Sequence, residues 1–567
     1  MSRIKRVALI AATENGRRNA RHLASVWPEA EVYGGPVREA MCRAWDEADG
    51  IVAFVATGAA VRLAAPLFSD KRTDPGLVCV DDAARFAVAL SGGHEGGANG
   101  LAERVAAALG ATPVVTTASD VTGHPDLDLF GADLGFRADG RSEVAAVGAA
   151  LVSGGEVRLV SERRCPVGPL PENVVAGEAA PGVPAIIISD RTGDLPSPSV
   201  LYRPASLVVG VGCSRGASAG EIVALVRESL REAGLSEASV AAFASVDVKR
   251  DEAGLLTAAG EFGVPVRFFP AAELSGFEAP NPSEVVRGAV GTPSVAEASV
   301  LASGAELVLE KRKSGMATCA VGRLPVRGRL YLVGLGPGDE SLVPPMAREA
   351  LAKSEVVVGL KQYVDRIRHL LRPGTRTVEP PLGREVERAE IAVEEARKGG
   401  SVALVSSGDI GVYAMASPAL EVAGEEVEVV TVPGVTASGA AAALLGSPLG
   451  HDHCSISLSD LLTPWSVIEN RLEAAAAGDF VVSFYNPRSK GRDWQLRKAI
   501  EILLSCRSPE TPAGLVRDAY RPTQRVHLTT LGGLRPEDVD MLTVVVVGSS
   551  QTMLRAGRMV TPRGYPL

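Results

Sequence analysis

Residues 329–339 read RLYLVGLGPGD, an apolar run that passes into three glycines at positions 334, 336 and 338. An apolar run that ends in a glycine turn before a helical pattern is typical of a buried strand in a parallel sheet. Glycine lets the main chain turn with positive φ and approach a ligand closely. The spacing is neither the G-x-G-x-x-G of a dinucleotide site nor a phosphate-binding loop, which would end in GK[ST]. Alone, this stretch predicts a strand-to-helix turn that could contact a ligand.

Three further turns of the same kind follow along the chain. They are SSGDIGVY after the strand pattern at 402–406, VPGVTAS after 427–431, and FYNP at 484–487. Each could be an ordinary turn between a strand and a helix. Ligands of open α/β sheets bind beyond the carboxyl ends of the strands, where such turns lie. The four loops therefore predict a shared ligand site in residues 329–567.

The remaining chain repeats the alternation of strand and helix patterns, which predicts an α/β fold class with several domains. We expect two α/β units with a small β-rich middle module, or ordered linker, between them, and a two-lobed domain at the end. The predicted boundaries are 1–130, 131–204, 205–325 and 329–567.

Composition excludes several classes of protein. A net charge of −9 argues against general nucleic-acid binding, which needs a basic face. The seven cysteines are scattered, odd in number and never spaced as CxxC, so neither a disulfide framework nor a zinc site is predicted. The first residues carry too few apolar side chains for a signal sequence, and no run approaches the length of a membrane span. We therefore expect a cytoplasmic protein that does not bind membranes.

The ordered set GxGPGD, SSGDIGVY, VPGVTAS, FYNP and LTVVVVGSSQT resembles the tetrapyrrole (precorrin) methylase family over residues 329–567. Four longer stretches are similar to the C17-methyltransferases of that family: 380–396, SSGDIGVYAMASPALE, 448–465 and SFYNPRSKGRDWQL. One departure is His453, where the family pattern leads us to expect an aromatic residue.

The resemblance implies two α/β halves with S-adenosylmethionine in the cleft between them, held largely by main chain. It also implies a homodimer formed through this domain. The residues it places around the cofactor are Pro337, Ser407, Gly408, Asp409, Val412, Thr436, Ala437, Asn486 and Ala519.

The implied acceptor is a polycarboxylate tetrapyrrole that carries its own cobalt, methylated at C17 with contraction of the ring. Residues 481–530 hold nine Lys and Arg against four Asp and Glu, so an anionic molecule could dock there. Candidate carboxylate ligands, each equally consistent with a solvent-facing surface, are Arg384, Arg488, Lys490, Arg492 and Arg517. The acid–base group of ring contraction is left open between Asp409, Asp460 and His453.

The stretch His451-Asp452-His453-Cys454 would place two histidines on one face of a strand. No third ligand is spaced nearby, so we predict no protein-bound metal here.

Residues 89–110, ALSGGHEGGANGLAERVAAALG, pack glycines around His94 and Glu95 just before a helical pattern. Together with FVATGAAVRLAAPL, TTASDVTG, VGVGCSRGASAGEI, ASVDVKRDEAGL and GTPSVAEASVLAS, they resemble the cobalt-precorrin-5A hydrolase family. That family opens a δ-lactone and releases acetaldehyde, so water must attack an ester carbonyl.

His94 and Glu95 are the candidate catalytic residues for that attack. Main-chain amides of 92–93 or 96–97 are the candidate oxyanion donors, and Lys249 and Asp247 could add charge. Cys213 has no evident histidine partner, and we interpret it as a small buried turn residue.

Two alternatives stay open from the sequence. The methylase could act at another ring position or on RNA, and residues 1–325 could be a non-catalytic corrinoid-binding scaffold.

Overall fold

The computed structural model describes residues 4–70, 73–93, 96–116, 125, 127, 130–489 and 491–565. The chain divides into two compact units, the first formed by 1–162 and 170–325 and the second by 163–169 and 326–567. Among the described residues, no helix combines the length and the apolar character that a bilayer crossing requires. The predicted α/β class is confirmed.

The first sheet of the N-terminal unit has the described strand order β2-β1-β3-β4-β5-β6. Its strands are β1 Val7–Ala11, β2 Ala30–Val32, β3 Gly50–Phe54, β4 Gly76–Val80, β5 Phe86–Ser91 and β6 Thr112–Val114. Its helices are Glu14–Val26, Val37–Glu47, Thr57–Ala64 and Ala98–Leu109, with a 3₁₀ turn at Ala65–Leu67. The sheet is not wholly parallel as predicted, since β5 runs antiparallel to β4. The five residues that join them are too few for a parallel crossover.

Residues 137–203 form a second sheet of order β7-β11-β10-β8-β9. Its strands are β7 Arg137–Ala138, β8 Val157–Ser161, β9 Val174–Ala176, β10 Ala185–Ile188 and β11 Ser199–Arg203, with a helix Val144–Val152 and a 3₁₀ turn Ala132–Leu134. Buried Arg203 donates from Nη2 to Asp139 Oδ2 at 3.2 Å and from Nη1 to the carbonyl of Ser189 at 2.9 Å. A charge-assisted contact of this kind ties the sheet together.

The third sheet has the order β14-β13-β12-β16-β15. Its strands are β12 Leu207–Cys213, β13 Val240–Val246, β14 Val266–Phe269, β15 Glu306–Lys313 and β16 Ala317–Arg323. Its helices are Ala219–Glu232, Ala253–Phe262, Ala271–Leu274, Glu284–Val290 and Ala296–Ala302, with 3₁₀ turns Glu237–Ser239 and Asp247–Lys249. Strands β12, β13 and β14 are parallel, β16 is antiparallel to β12, and β15 pairs antiparallel with β16 at the edge of the sheet.

The first lobe of the C-terminal unit is a parallel sheet of order β19-β18-β20-β17-β21. Its strands are β17 Gly328–Gly334, β18 Val356–Val358, β19 Arg376–Val378, β20 Ser401–Ser406 and β21 Val427–Val432. Its helices are Pro345–Ala352, Lys361–Ile367, Glu385–Arg397 and Ala416–Val422, with 3₁₀ turns Glu340–Leu342 and Arg368–Leu370. The strands are buried on both faces, as the apolar runs predict.

The second lobe is a mixed sheet of order β23-β24-β27-β25-β26, with a small sheet β22-β29-β28. Its strands are β22 Gly446–Ser447, β23 His453–Ser457, β24 Val481–Tyr485, β25 Pro512–Arg517, β26 Arg525–Thr530, β27 Thr543–Val547, β28 Met553–Arg555 and β29 Arg558–Val560. Its helices are Ala437–Leu445, Trp465–Ala477 and Gln495–Leu504, with a 3₁₀ turn Pro536–Asp538.

Candidate active site

Three of the glycine loops meet at the carboxyl ends of β17, β20 and β21. The amide of Gly336 donates to the carbonyl of Gly408 at 3.0 Å, and the amide of Gly408 donates back to Gly336 at 2.8 Å. A Cβ built on Gly434 would lie 2.2 Å from the carbonyl oxygen of Gly408. The loops therefore touch main chain to main chain, which leaves room for glycine alone.

Gly408 is restricted by its backbone conformation and not by a close contact. Its φ is +73°, and a Cβ built there would find no atom closer than 3.8 Å, the amide nitrogen of Ala437. That distance is an ordinary van der Waals contact and Gly408 is itself buried, so its positive φ rather than free space is what favours glycine there. Ser407 and Asp409, on either side of it, are partly exposed, and they are the part of this loop that is accessible to a ligand.

The carboxylate of Asp409 links two of these loops. Its Oδ1 accepts from the amide of Gly411 at 2.8 Å and its Oδ2 accepts from the amide of Gly434 at 2.9 Å. Both oxygens are thus engaged by main-chain donors. This geometry favours a positioning role for Asp409.

Arg521, a residue the sequence interpretation missed, joins the second lobe to the same loops. Its Nε donates to the carbonyl of Pro337 at 2.9 Å and its Nη2 to Ser407 Oγ at 3.2 Å. Its Nη1 lies 3.2 Å from Oδ1 of buried Asp518. No local motif marks this arginine, because Pro337 and Ser407, the two loop residues it contacts, are more than one hundred residues away in sequence.

Tyr485 fastens the start of the helix Ala437–Leu445. Its hydroxyl lies 2.7 Å from Thr436 Oγ1 and accepts from the amide of Ser438 at 2.9 Å. Its ring packs 5.1 Å from that of Tyr413, centroid to centroid, and Tyr413 donates to the carbonyl of Ser455 at 2.8 Å. Burial raises the pKa of Tyr413, so its hydroxyl stays protonated at neutral pH.

Strained backbone is concentrated in these loops. Four residues here have φ between +49° and +58°, a region that residues other than glycine rarely adopt: Tyr413, Asn486, Asp518 and Tyr520. Such conformations cost about 1–3 kcal/mol each and tend to persist at functional sites. Asn486 and Asp518 directly follow β24 and β25. The strain therefore points to the same edge of the fold as the glycine loops.

The structure brings the residues expected around the cofactor to this one region. Pro337, Ser407, Gly408, Asp409 and Ala437 surround the contacts just described, and the amide of Val412 donates to the carbonyl of Asp409 at 3.4 Å. Thr436 and Asn486 come from the neighbouring turns, the latter donating to Ser457 Oγ at 3.1 Å, and Ala519 lies between the strained Asp518 and Tyr520. Their contact with a cofactor stays a prediction.

The candidate carboxylate ligands differ in their surroundings. Arg492 is buried and donates to the carbonyls of Leu458 and Asn486, so it supports the fold and we no longer propose it as a substrate ligand. Arg384 is exposed and pairs with Glu387 at 2.9 Å. Lys490 lies outside the described residues.

Arg488 and Arg517 remain partly accessible. Arg488 donates to the carbonyl of Pro536 at 3.0 Å, whereas Arg517 pairs with Asp540 at 2.8 Å and Asp518 at 2.6 Å.

The histidine stretch is locally satisfied. Strand β23 begins at His453, so His451 lies before the strand and the expected shared face is wrong. His453 Nδ1 lies 3.1 Å from the carbonyl oxygen of His451. Among the residues the structure describes, no cluster of three His, Cys, Asp or Glu is arranged to hold a metal ion. Asp460, the third acid–base candidate, accepts from Gln495 Nε2 at 2.9 Å.

In the N-terminal unit, His94 and Glu95 lie outside the described residues. The glycines on either side of them pack against the start of β4. A Cβ on Gly76 would lie 2.3 Å from the carbonyl oxygen of Gly96, and Gly92 accepts from the amide of Ala98 at 3.1 Å. Gly92 and Gly96 therefore lie beside the start of β4 and of the helix Ala98–Leu109.

Cys213 and Lys249, considered separately in the sequence, line one cavity beyond β12 and β13. Lys249 Nζ lies 3.6 Å from Glu252 Oε2, and both side chains are largely buried. Burial raises the pKa of Cys213, so the thiol is uncharged at neutral pH. Asp247 begins the 3₁₀ turn that carries Lys249.

Comparison with known families finds four matches along the chain. A model of the "Tetrapyrrole (Corrin/Porphyrin) Methylases" matches residues 329–535. Models of the "Cobalamin synthesis G N-terminal", the "Cobalamin biosynthesis central region" and the "Cobalamin synthesis G C-terminus" match residues 39–120, 125–204 and 207–322.

The C-terminal unit has curated relatives. The chain is 48% identical over 244 residues to a probable cobalt-factor III C(17)-methyltransferase of Salmonella typhimurium, covering 42% of this chain and all of that protein. It is 42% identical to a precorrin-3B C(17)-methyltransferase of Sinorhizobium, covering 42% of this chain and 97% of that one. The crystal structure of the methyltransferase CobJ is 43% identical, with a TM-score of 0.40, over 41% of this chain and all of that one. The chain belongs to the tetrapyrrole methylase family, with three cobalamin synthesis G regions ahead of the methylase.

Proposed function

We propose that the chain is a bifunctional enzyme of corrin-ring assembly. The C-terminal unit methylates C17 of a precorrin-3B or cobalt-factor III macrocycle and contracts the ring. The N-terminal unit opens the δ-lactone of a later intermediate, cobalt-precorrin-5A, and releases acetaldehyde. The observation that carries the first half is the main-chain contact of the loops at Gly336, Gly408 and Gly434, beside the partly exposed Ser407 and Asp409.

S-adenosylmethionine fits that edge of the fold. It would supply a methyl group already activated by a sulfonium leaving group. The residues present would hold it by main chain at Gly408, Asp409 and Ala437, with Ser407 oriented by Arg521. No side-chain nucleophile is needed, because aligning two reactants can by itself contribute about 7–11 kcal/mol to lowering a barrier.

The acceptor is anionic, so cations at the rim would orient it. Arg488 and Arg517 are partly accessible in the second lobe, and Arg384 is exposed at the start of the helix Glu385–Arg397. Arginine matches carboxylates bidentately, which suits a macrocycle with acidic side chains. We propose that cobalt arrives with this substrate, and that the homodimer implied by the resemblance forms through the methylase unit.

The N-terminal proposal rests on the three matched regions and on the glycine loop. Gly92 and Gly96 pack against Gly76, and the amides around them are candidates for stabilising an oxyanion. His94 and Glu95, between these glycines in sequence, are proposed to activate water.

Mass spectrometry tests both halves on the full chain. With cobalt-factor III and S-adenosylmethionine we expect a product one methyl group heavier, and fragmentation should show a contracted ring. Methylation at another position, or no methylation, would overturn the C-terminal proposal. Release of acetaldehyde from cobalt-precorrin-5A, and its loss in His94→Ala, is expected for the other half, and release unchanged by His94→Ala and Glu95→Gln would overturn the assigned residues.

A further inference from the structure

A cavity of about 710 Å³ opens at the carboxyl ends of β12 and β13. The residues that line it are 212–215, 246, 248, 249, 283, 285, 286, 289, 290, 293–295, 311 and 313–318. Binding sites for small organic molecules typically enclose about 300–1,000 Å³. The function proposed above makes no use of this cavity, although it is large enough for a substrate.

Four cationic side chains line the cavity, and the described lining residues include no Asp or Glu. The four are Arg215, Lys249, Lys311 and Lys313. They come from the loop after β12, the turn after β13 and the strand β15. In a chain of net charge −9, such a concentration of positive charge selects an anionic ligand.

The four cations differ in whether other groups of the protein already bind them. Arg215 pairs with Asp251 at 3.1 Å, both side chains being exposed, and solvent screening makes that pair weak. Lys311 donates from Nζ to the carbonyl of Asn281. The side chain of Lys313 makes no hydrogen bond or ion pair within the described part of the chain. Two of the charges are therefore available to an incoming anion at little cost.

The acidic groups that bond to lining residues are already occupied. Glu221 accepts from Ser314 and from the amide of Met316, and Glu252 accepts from the amide of Gly216. Glu297 accepts from the amide of Lys311 at 3.1 Å. Because these hydrogen bonds hold the three carboxylates in place, they compete only weakly with an incoming anion for Lys313.

Exposed apolar residues make up part of the remaining lining, beside the hydroxyls of Ser214, Ser283, Ser294, Ser314 and Thr318. Val285 is 83% exposed, and Val248 and Met316 are also exposed large hydrophobic residues of the lining. An apolar surface edged by separated cations suits a flat organic ring with carboxylates around its margin. A single phosphate group would favour cations gathered at one point.

We propose that this cavity binds the polycarboxylate tetrapyrrole on which the N-terminal unit acts, a second macrocycle site in the chain. The inference rests on the proposed lactone hydrolysis. Cys213 contributes a neutral wall, because its thiol is uncharged. Lys313 and Arg215 bind peripheral carboxylates, while Lys249 is held by Glu252.

The test uses the full chain and two variants, Lys313→Glu and Arg215→Ala. Acetaldehyde release from cobalt-precorrin-5A and methylation of cobalt-factor III are measured in the same preparations. We expect the KM for lactone opening to rise about tenfold or more in each variant, as for loss of a charge-assisted contact. Methylation should be unchanged. Arg267→Glu, an exposed residue of β14 outside the cavity, makes the same charge change as Lys313→Glu and should leave both reactions as they are.

The outcomes distinguish a failure of the cavity proposal from a failure of the proposed lactone hydrolysis. If the wild-type chain releases acetaldehyde and neither variant changes the KM, the cavity is not the site. If the wild-type chain releases none, lactone hydrolysis is wrong, and fluorescence titration with uroporphyrin III then tests the cavity alone. Loss of one binding site in Lys313→Glu would support it, whereas equal binding, or displacement of the porphyrin by ATP, would overturn it.

Discussion

The guanidinium of Arg521 lies across the first glycine loop, with Nε 2.9 Å from the carbonyl oxygen of Pro337. The same group reaches Ser407 Oγ with Nη2 at 3.2 Å. Through these two contacts the second lobe sets the position of two loops of the first. The shape of the proposed cofactor site therefore depends on a residue that lies almost two hundred positions after Pro337 in the chain.

Replacing Arg521 with alanine should weaken binding of S-adenosylmethionine about tenfold or more, because hydrogen bonds from charged donors contribute about 1.5–3 kcal/mol each. The Arg521→Lys variant should bind S-adenosylmethionine with an affinity between those of the wild type and the alanine variant, since a lysine cannot reproduce both contacts. Isothermal titration calorimetry measures the affinity. Arg525→Ala, an exposed residue of β26, is the matched control. An unchanged affinity in Arg521→Ala would remove this residue from the site.

Gly434→Ala should lower methyl transfer by about 100-fold. The new Cβ would lie 2.2 Å from the carbonyl oxygen of Gly408, so the loops must separate, and small displacements at a reacting centre are costly. Gly439→Ala adds the same methyl group inside the helix Ala437–Leu445, where the nearest atom is 3.6 Å away, and should be tolerated. Equal rates for the two variants would contradict the loop packing.

Asp409→Asn separates a positioning role from acid–base chemistry. An amide can accept from Gly411 or Gly434 but not from both, so we expect cofactor affinity to fall about tenfold. The shape of the pH profile of kcat should not change. Loss of one limb of that profile would instead identify Asp409 as the acid or base of ring contraction.

The middle sheet should lose stability in acid. Hydrogen bonding to Arg141, with further attraction from Arg203, lowers the pKa of Asp139 to about 2. Because the folded pKa is depressed, the stabilisation is fully present above the ordinary value near 3.8 and is lost as pH falls from there towards 2.

Asp139→Asn should abolish that pH dependence and destabilise the sheet by about 3 kcal/mol, since Arg203 is left buried without its counter-ion. Hydrogen exchange at Ala185–Ile188 and Ser199–Arg203 reports this locally. Arg141→Ala removes an exposed partner and should cost less. Exchange in the Asn variant equal to wild type would show that the pair contributes nothing.

Much of this molecule could be predicted from short patterns. Apolar runs such as 329–334 and 402–406 became buried parallel strands, because a strand covered on both faces must be apolar throughout. The glycine turns after them were predicted for the same local reason. The antiparallel step from β4 to β5 was missed, since the pattern of apolar residues does not record strand direction.

Local patterns alone predict the α/β class, the order of the strands along the chain and the glycine turns that follow them. All of these depend on neighbours within a few residues. Three relations appear only in the folded chain. Arg521 donates a hydrogen bond to Pro337, and Arg492 is buried with hydrogen bonds to carbonyl groups. Lys249, Lys313 and Cys213 line the same cavity. These relations join residues distant in the chain, and folding brings them together.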